Sequence, residues 1–222
     1  MRIGFERQRL MGFFITFEGG EGSGKSTQAR ILAQRLRAAG RDVVMTREPG
    51  GTPLAERVRK RLLAEAPNLS PVEQAILFAA ARADHVEQVI APAVARGEWV
   101  VCDRFADSTH VYQGAAGANM PLVEALRTVA VGDCEPHLTL VMDCPVDVGR
   151  GRVAARAGQD DPFDRDADAV QQARRDGFIA LAKREPERCL LVDASQSRDA
   201  QSKVIWNGVQ DRLVRPPLAH AD

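Results

Sequence analysis

Residues Gly19 to Ser26 read Gly-Gly-Glu-Gly-Ser-Gly-Lys-Ser, which matches G-x-x-x-x-G-K-[ST]. Gly19, Gly20, Gly22 and Gly24 let the backbone curl, with Glu21 and Ser23 on the same curl, until successive N–H groups point inward. A helix starting there adds the positive end of its dipole. Such a cradle suits polyphosphate. Lys25 is placed to reach the β- and γ-phosphates of a nucleoside triphosphate, the Ser26 hydroxyl to ligate Mg²⁺, and Thr27 to add a phosphate contact. No dinucleotide-type G-x-G-x-x-G is present.

A cradle of this kind needs a strand before it and a helix after it, and both are legible. Phe13–Phe17 is an apolar, β-rich run ending at Glu18. Ile31, Leu32 and Leu36 then share a helical face closed by Gly40. Asp42–Thr46 reads as a second strand. Arg47–Thr52 contains Pro and two Gly and cannot be regular. Pro53–Leu63 reads as a helix. Ser70-Pro71 opens another, with Ser as N-cap, running to about Arg96 with a kink or break at Pro92. Trp99–Cys102, Leu138–Met142 and Cys189–Val192 lack polar alternation and suit parallel strands buried on both faces. Helical stretches at Leu122–Val131, Val146–Ala157, Ala167–Arg184 and Arg198–Leu213 separate them. The alternation predicts an α/β P-loop fold, a five-stranded parallel sheet flanked by helices. Length predicts one domain over residues 13–213 of 222. Residues 1–12 read as a disordered extension, about 150–168 as an acidic lid insert, and 214–222 as a frayed tail.

Lys plus Arg and Asp plus Glu both total 30, so the net charge is zero. That removes the global argument for a nucleic-acid coat or a polybasic membrane binder. The four cysteines form no CxxC, which points to a reducing compartment, the cytoplasm. No apolar run approaches membrane-spanning length. Asp103 and Arg104 fall at the C-terminal end of a buried strand, the edge where open α/β sheets bind ligands. Asp103 is suited to Mg²⁺ and Arg104 to a bidentate grip on phosphate. There is no Asn-Lys-x-Asp guanine-reading motif, and the chain is short for a motor.

Three further segments carry a resemblance. Arg47-Glu48-Pro49-Gly50-Gly51-Thr52, Phe78-Ala79-Ala80-Ala81-Arg82, and Asp103-Arg104-Phe105 with Ser108 and Tyr112-Gln113-Gly114 resemble the bacterial thymidylate kinases. Order and spacing match over most of residues 13–195. The resemblance implies transfer of the γ-phosphoryl of ATP to dTMP, giving dTDP and ADP, by a homodimer using Mg²⁺. It places Arg47 and Arg104 on the dTMP phosphate, Phe78 against the thymine ring and Arg82 on the base. Glu48 would orient the arginines or join the Mg²⁺ network, and Glu21 would sit near the sugar 3′-hydroxyl. Tyr112 would lie beside the sugar, Gln113 near the base, and Ser108 within the same substrate-binding set. Some relatives carry a catalytic arginine in the P-loop where this chain has Gly22. The charge should then come from the lid, from Arg152 or Arg156, which lie four apart on one helix face, while Arg150 points elsewhere. The acceptor phosphate is already largely a dianion at neutral pH, so no general base is required. Two other readings stay open at this point: a kinase for another nucleotide, and a nucleotide-binding protein that has lost turnover.

Overall fold

The computed structural model describes residues 11–155 and 162–214. Five strands form one parallel sheet: β1 (Phe14–Glu18), β2 (Val43–Arg47), β3 (Trp99–Asp103), β4 (Leu138–Asp143) and β5 (Cys189–Asp193). Their spatial order is β2-β3-β1-β4-β5, every pair parallel. β1 is central and buried along its whole length. The side chains of its apolar run alternate between two cores. Ile15 and Phe17 pack with Leu32, Leu36 and Leu138 on one face, and Phe14 packs with Ile90, Val100 and Phe105 on the other. Because the strands are parallel, their last residues gather at one edge, and each is charged: Glu18, Arg47, Asp103, Asp143 and Asp193. The direction of winding reverses beside β1, so this edge is also the topological switch point where such sheets bind ligands.

The helices are α1 (Lys25–Ala38), α2 (Pro53–Glu65), α3 (Pro71–His85), α4 (Ala91–Ala95), α5 (Ala106–Ala115), α6 (Met120–Val131), α7 (Val146–Ala154), α8 (Asp168–Arg184) and α9 (Arg198–Val209). Thr52 and Ser197 cap α2 and α9 through their side chains, and Ser70 with Glu73 forms a full capping box on α3.

Three expectations change. The long helix from Ser70 carries its irregularity just before Pro92 and not at it. It widens earlier into one π turn over Val86–Ile90, which leaves Pro92 within the first two positions of α4, where its missing N–H costs nothing. The helix expected to reach Ala157 is assigned as far as Ala154. The last turn after α9, Gln210–Val214, is a π turn rather than α-helix. The expected N-terminal extension, the lid residues around Arg156 and the tail after Val214 lie outside the described residues. No helix among the described residues is long and apolar enough to cross a membrane.

Candidate active site

The loop after β1 and the start of α1 form the cradle. Gly24 occupies the N-cap position at φ 89 and Gly22 sits at φ 67, both left-handed. A Cβ on Gly22 would lie 2.1 Å from the Gly149 carbonyl oxygen, so the loop packs directly on the backbone of α7. Lys25 is buried. Its ammonium donates to Gly20 O at 2.5 Å and to Ser23 Oγ at 3.2 Å. Burial, then the neighbouring Arg104, lowers its pKa from 10.5 to about 8, against the opposing pull of Glu21, Asp103 and Glu18. A bound triphosphate restores the charge. The free protein should therefore bind ATP fully below pH 8 and progressively less tightly as pH rises through that value. Isothermal titration between pH 6.5 and 9.5 checks this; an affinity flat to pH 9.5 contradicts it.

The Ser26 hydroxyl donates to Asp103 Oδ2 across 77 residues of sequence. Two hard oxygen donors thus meet beside the cradle, the sparse set that Mg²⁺ uses when nucleotide phosphates supply further ligands. Among the described residues there is no denser cluster of three or more metal-ligating side chains.

Arg104 is the junction of the site. It is a non-glycine residue at φ 69, a conformation costing about 1–3 kcal/mol. Its backbone N–H donates to Phe17 O at 2.9 Å. The next N–H, of Phe105, donates to Glu18 Oε1 at 2.7 Å, and Ser108 Oγ donates to Glu18 Oε2 at 2.5 Å. The backbone so pinned turns the guanidinium onto Gly19 O, Ser108 Oγ and Glu21 Oε1, at 3.1, 3.1 and 2.6 Å. Tyr112 Oη, from α5, donates to the same Glu21 oxygen at 2.6 Å. Burial raises Glu21's carboxyl, but Arg104, then Lys25, overcome it and hold the group at about 2. Burial, then Asp107, pushes Glu18 up to about 8. The two carboxyls are pulled in opposite directions: Arg104 and Lys25 hold Glu21 low in the cleft, while burial drives Glu18, at the end of β1, upward.

Glu48 lies beyond Arg104. It is buried, with Arg82 Nε donating to one oxygen at 2.7 Å and His85 Nδ1 2.9 Å from the other. His85 is fully buried, and its Nε2 is 2.7 Å from Thr46 Oγ1. Glu48 therefore orients an arginine and makes none of its contacts with Ser26 or Asp103. Arg82 Nη2 donates to Phe105 O and Thr109 Oγ1 at 3.1 and 3.0 Å, while Nη1 has no protein partner among the described residues. Arg47 is spent on Glu56, donating to both oxygens at 2.9 and 3.0 Å on an exposed surface.

These groups line one cleft of about 1070 Å³, at the upper end of ligand-site sizes. Lys25, Ser26, Thr27, Asp103, Phe78, Arg82, Gln113, Glu21, Arg104, Ser108 and Tyr112 all line it. Of the lid arginines, Arg152 faces the cleft, with Nη1 3.4 Å from Gly22 O, whereas Arg150 turns away to Asp168 and Asp166. Arg156 lies outside the described residues. Three contributors escaped the sequence reading. Glu18 carried a signal, a lone charge ending a buried strand at the ligand edge. Arg59 also lines the cleft and donates to Pro49 O at 3.2 Å. Arg174 lies 4.3 Å from the Tyr112 ring centroid and is buried; nothing in the helical pattern of α8 singles it out.

A parallel sheet of this order with this cradle at its switch point is the P-loop nucleotide-binding fold. The thymidylate kinase family model matches residues 17–205. Thymidylate kinase of Rhodopseudomonas palustris is 49% identical over 217 residues, covering 96% of this chain and 94% of that protein. The Caulobacter vibrioides thymidylate kinase is 50% identical over 204 residues, covering 91% and 98%. The crystal structure of thymidylate kinase from Ehrlichia chaffeensis superposes with a TM-score of 0.71 at 34% identity, over 89% of this chain and 98% of that one. The chain belongs to the thymidylate kinase family.

Proposed function

We infer that this protein transfers the γ-phosphoryl of ATP to dTMP, giving dTDP and ADP. The observation that carries the reading is that one cleft is lined both by the phosphate cradle and by an aromatic ring with unspent polar groups. The same cleft holds an arginine fixed by Glu21 and Ser108. Two anions must meet in line, so the work is positioning and charge neutralisation. Lys25 and the cradle amides hold the donor phosphates. Arg104, with Arg47 released from its exposed partner, takes the acceptor phosphate. Phe78 stacks on the pyrimidine, a contact worth about 1–3 kcal/mol in comparable sites. Arg82 Nη1 offers donors to a base carbonyl. Gln113 carries a buried Oε1 with no hydrogen-bond partner, an acceptor suited to the imide N–H of thymine. Tyr112 and Glu21 form a rigid pair at the sugar. Arg152 from the lid, with Arg156, supplies charge to the transferring phosphoryl. Ser26 and Asp103 would hold Mg²⁺, which when bound neutralises charge on the β- and γ-phosphate oxygens.

The homodimer belongs to the same proposal. Ile76 on α3 and Leu122 and Val129 on α6 are apolar and exposed at 47%, 37% and 83%, on helices that pack together. So does a cytoplasmic setting, which the free cysteines suit.

A coupled ADP-release assay tests the reaction. We expect ADP release that requires dTMP and stops when EDTA removes Mg²⁺. ATP bound without dTMP-dependent turnover would leave a nucleotide-binding protein and end the proposal.

A further inference from the structure

Gln113 is almost completely buried and lines the cleft, yet which end of its amide faces outward is decided elsewhere. Its Nε2 donates to Gln74 Oε1 at 3.1 Å. Gln74 in turn donates through its own Nε2 to Ala66 O at 3.0 Å and Leu69 O at 3.1 Å. Backbone carbonyls can only accept. They force Gln74 to present its NH₂ to them and its carbonyl to Gln113. Gln113 must then spend its NH₂ on Gln74 and keep its own carbonyl unpaired, and that Oε1 is indeed buried with no partner. Turning either amide would set oxygen against oxygen or nitrogen against nitrogen. The local chain keeps the arbiters in place. The Ser70–Glu73 capping box fixes the start of α3, Gln74 N donates to Ser70 O at 3.0 Å, and the short turn Ala66–Asn68 folds back over the helix start.

We propose that Gln74, which does not line the cleft, is a specificity-determining positioning residue. By locking Gln113 as an acceptor, it selects a pyrimidine bearing an N–H at position 3, as thymine and uracil do, over one bearing a bare nitrogen there, as cytosine does. The proposal rests on the reading that the base lies beside Gln113. A bare ring nitrogen facing a locked carbonyl loses a hydrogen bond and leaves two acceptors opposed, the mismatch that polar sites reject most strongly.

The test compares kcat/KM for dTMP and 5-methyl-dCMP, which share sugar, phosphate and methyl group. Gln74→Glu can accept from Gln113 through one oxygen only while the other is protonated and donates to the Ala66 or Leu69 carbonyl, so it should hold the wild-type preference at low pH and lose it as the carboxyl ionises. Gln74→Met frees the Gln113 amide to turn and should lower the preference about tenfold, a factor equal to roughly one good hydrogen bond. Gln74→Lys donates to the carbonyls and to Gln113 alike, reversing the relay, and should lower it furthest. Calorimetric ATP affinity should stay at the wild-type value in all three, which separates a change of polarity from general damage. Equal preferences across the three variants, or a uniform loss of turnover with both substrates, would overturn the role of Gln74. Gln113→Leu separates this failure from failure of the underlying reading. If Gln113→Leu also leaves the preference untouched, the base does not lie beside Gln113. If it shifts the preference while the Gln74 variants do not, only the relay is wrong.

Discussion

Replacing Lys25 with Met should lower kcat/KM for ATP by about 10³–10⁴-fold while leaving the fold as stable as before or more so. The first half follows from where the ammonium lies. It is the buried cation of the cradle, and a preorganised charge on a transferring phosphoryl is worth about 10²–10⁵ in rate in comparable sites. The second half follows from its cost. Lys25 is desolvated beside Arg104, which is why its pKa sits near 8 rather than 10.5. A base with a depressed folded pKa penalises the folded state in full below about pH 8, and the penalty fades only as pH rises from there to the ordinary value of 10.5. Met fills similar volume without that penalty, so the melting temperature measured at pH 7 should hold or rise. Above pH 10.5, where Lys25 is neutral in both the folded and the unfolded chain, the two proteins should converge. A variant that loses activity and several degrees of melting temperature together would show that Lys25 is a structural group. Steady-state kinetics with differential scanning calorimetry on one preparation decide between the two.

The cradle was the most legible part of the chain because its chemistry is local. A phosphate needs backbone amides, and backbone amides need consecutive glycines between a strand and a helix. The strands were equally readable, since continuous apolar runs admit few other fates in a chain of this composition. α5 was not read as a helix. Ala-Asp-Ser-Thr-His has little apolar periodicity, and the helix exists because Glu18 holds the Phe105 N–H and Ser108 at its first turn. Residue types told where phosphate contacts could be, but not which arginine was already occupied. Arg47 and Arg82 look alike in sequence, yet one meets an exposed Glu56 and the other a buried Glu48. That difference is tertiary, set by which face of α2 or α3 meets the Arg47–Thr52 loop. His85 shows the same limit. Nothing in the helical pattern around it reveals that its ring fixes the carboxylate that orients Arg82.

Arg104 should be nearly as sensitive as Lys25, with a different signature. Arg104→Met should lower kcat/KM for dTMP by about 10³-fold and Arg104→Lys by about 10²-fold, because an ammonium keeps the charge but cannot span Gly19 O, Ser108 Oγ and Glu21 together. ATP affinity should change little, which separates the acceptor half of the cleft from the donor half. Arg104 is also the strongest influence lowering Glu21's carboxyl, so its removal from that partly buried group should raise the Glu21 pKa from about 2. The acid limb of the pH–rate profile should accordingly move to higher pH in Arg104→Met. Backbone geometry supplies an internal control. At φ 69 an alanine pays about 1–2 kcal/mol that glycine does not, so Arg104→Gly should melt above Arg104→Ala although both are equally impaired in turnover. Were the alanine variant the more stable of the two, the left-handed conformation would not be a constraint at this position, and the account of how the strand end aims its guanidinium would fail with it.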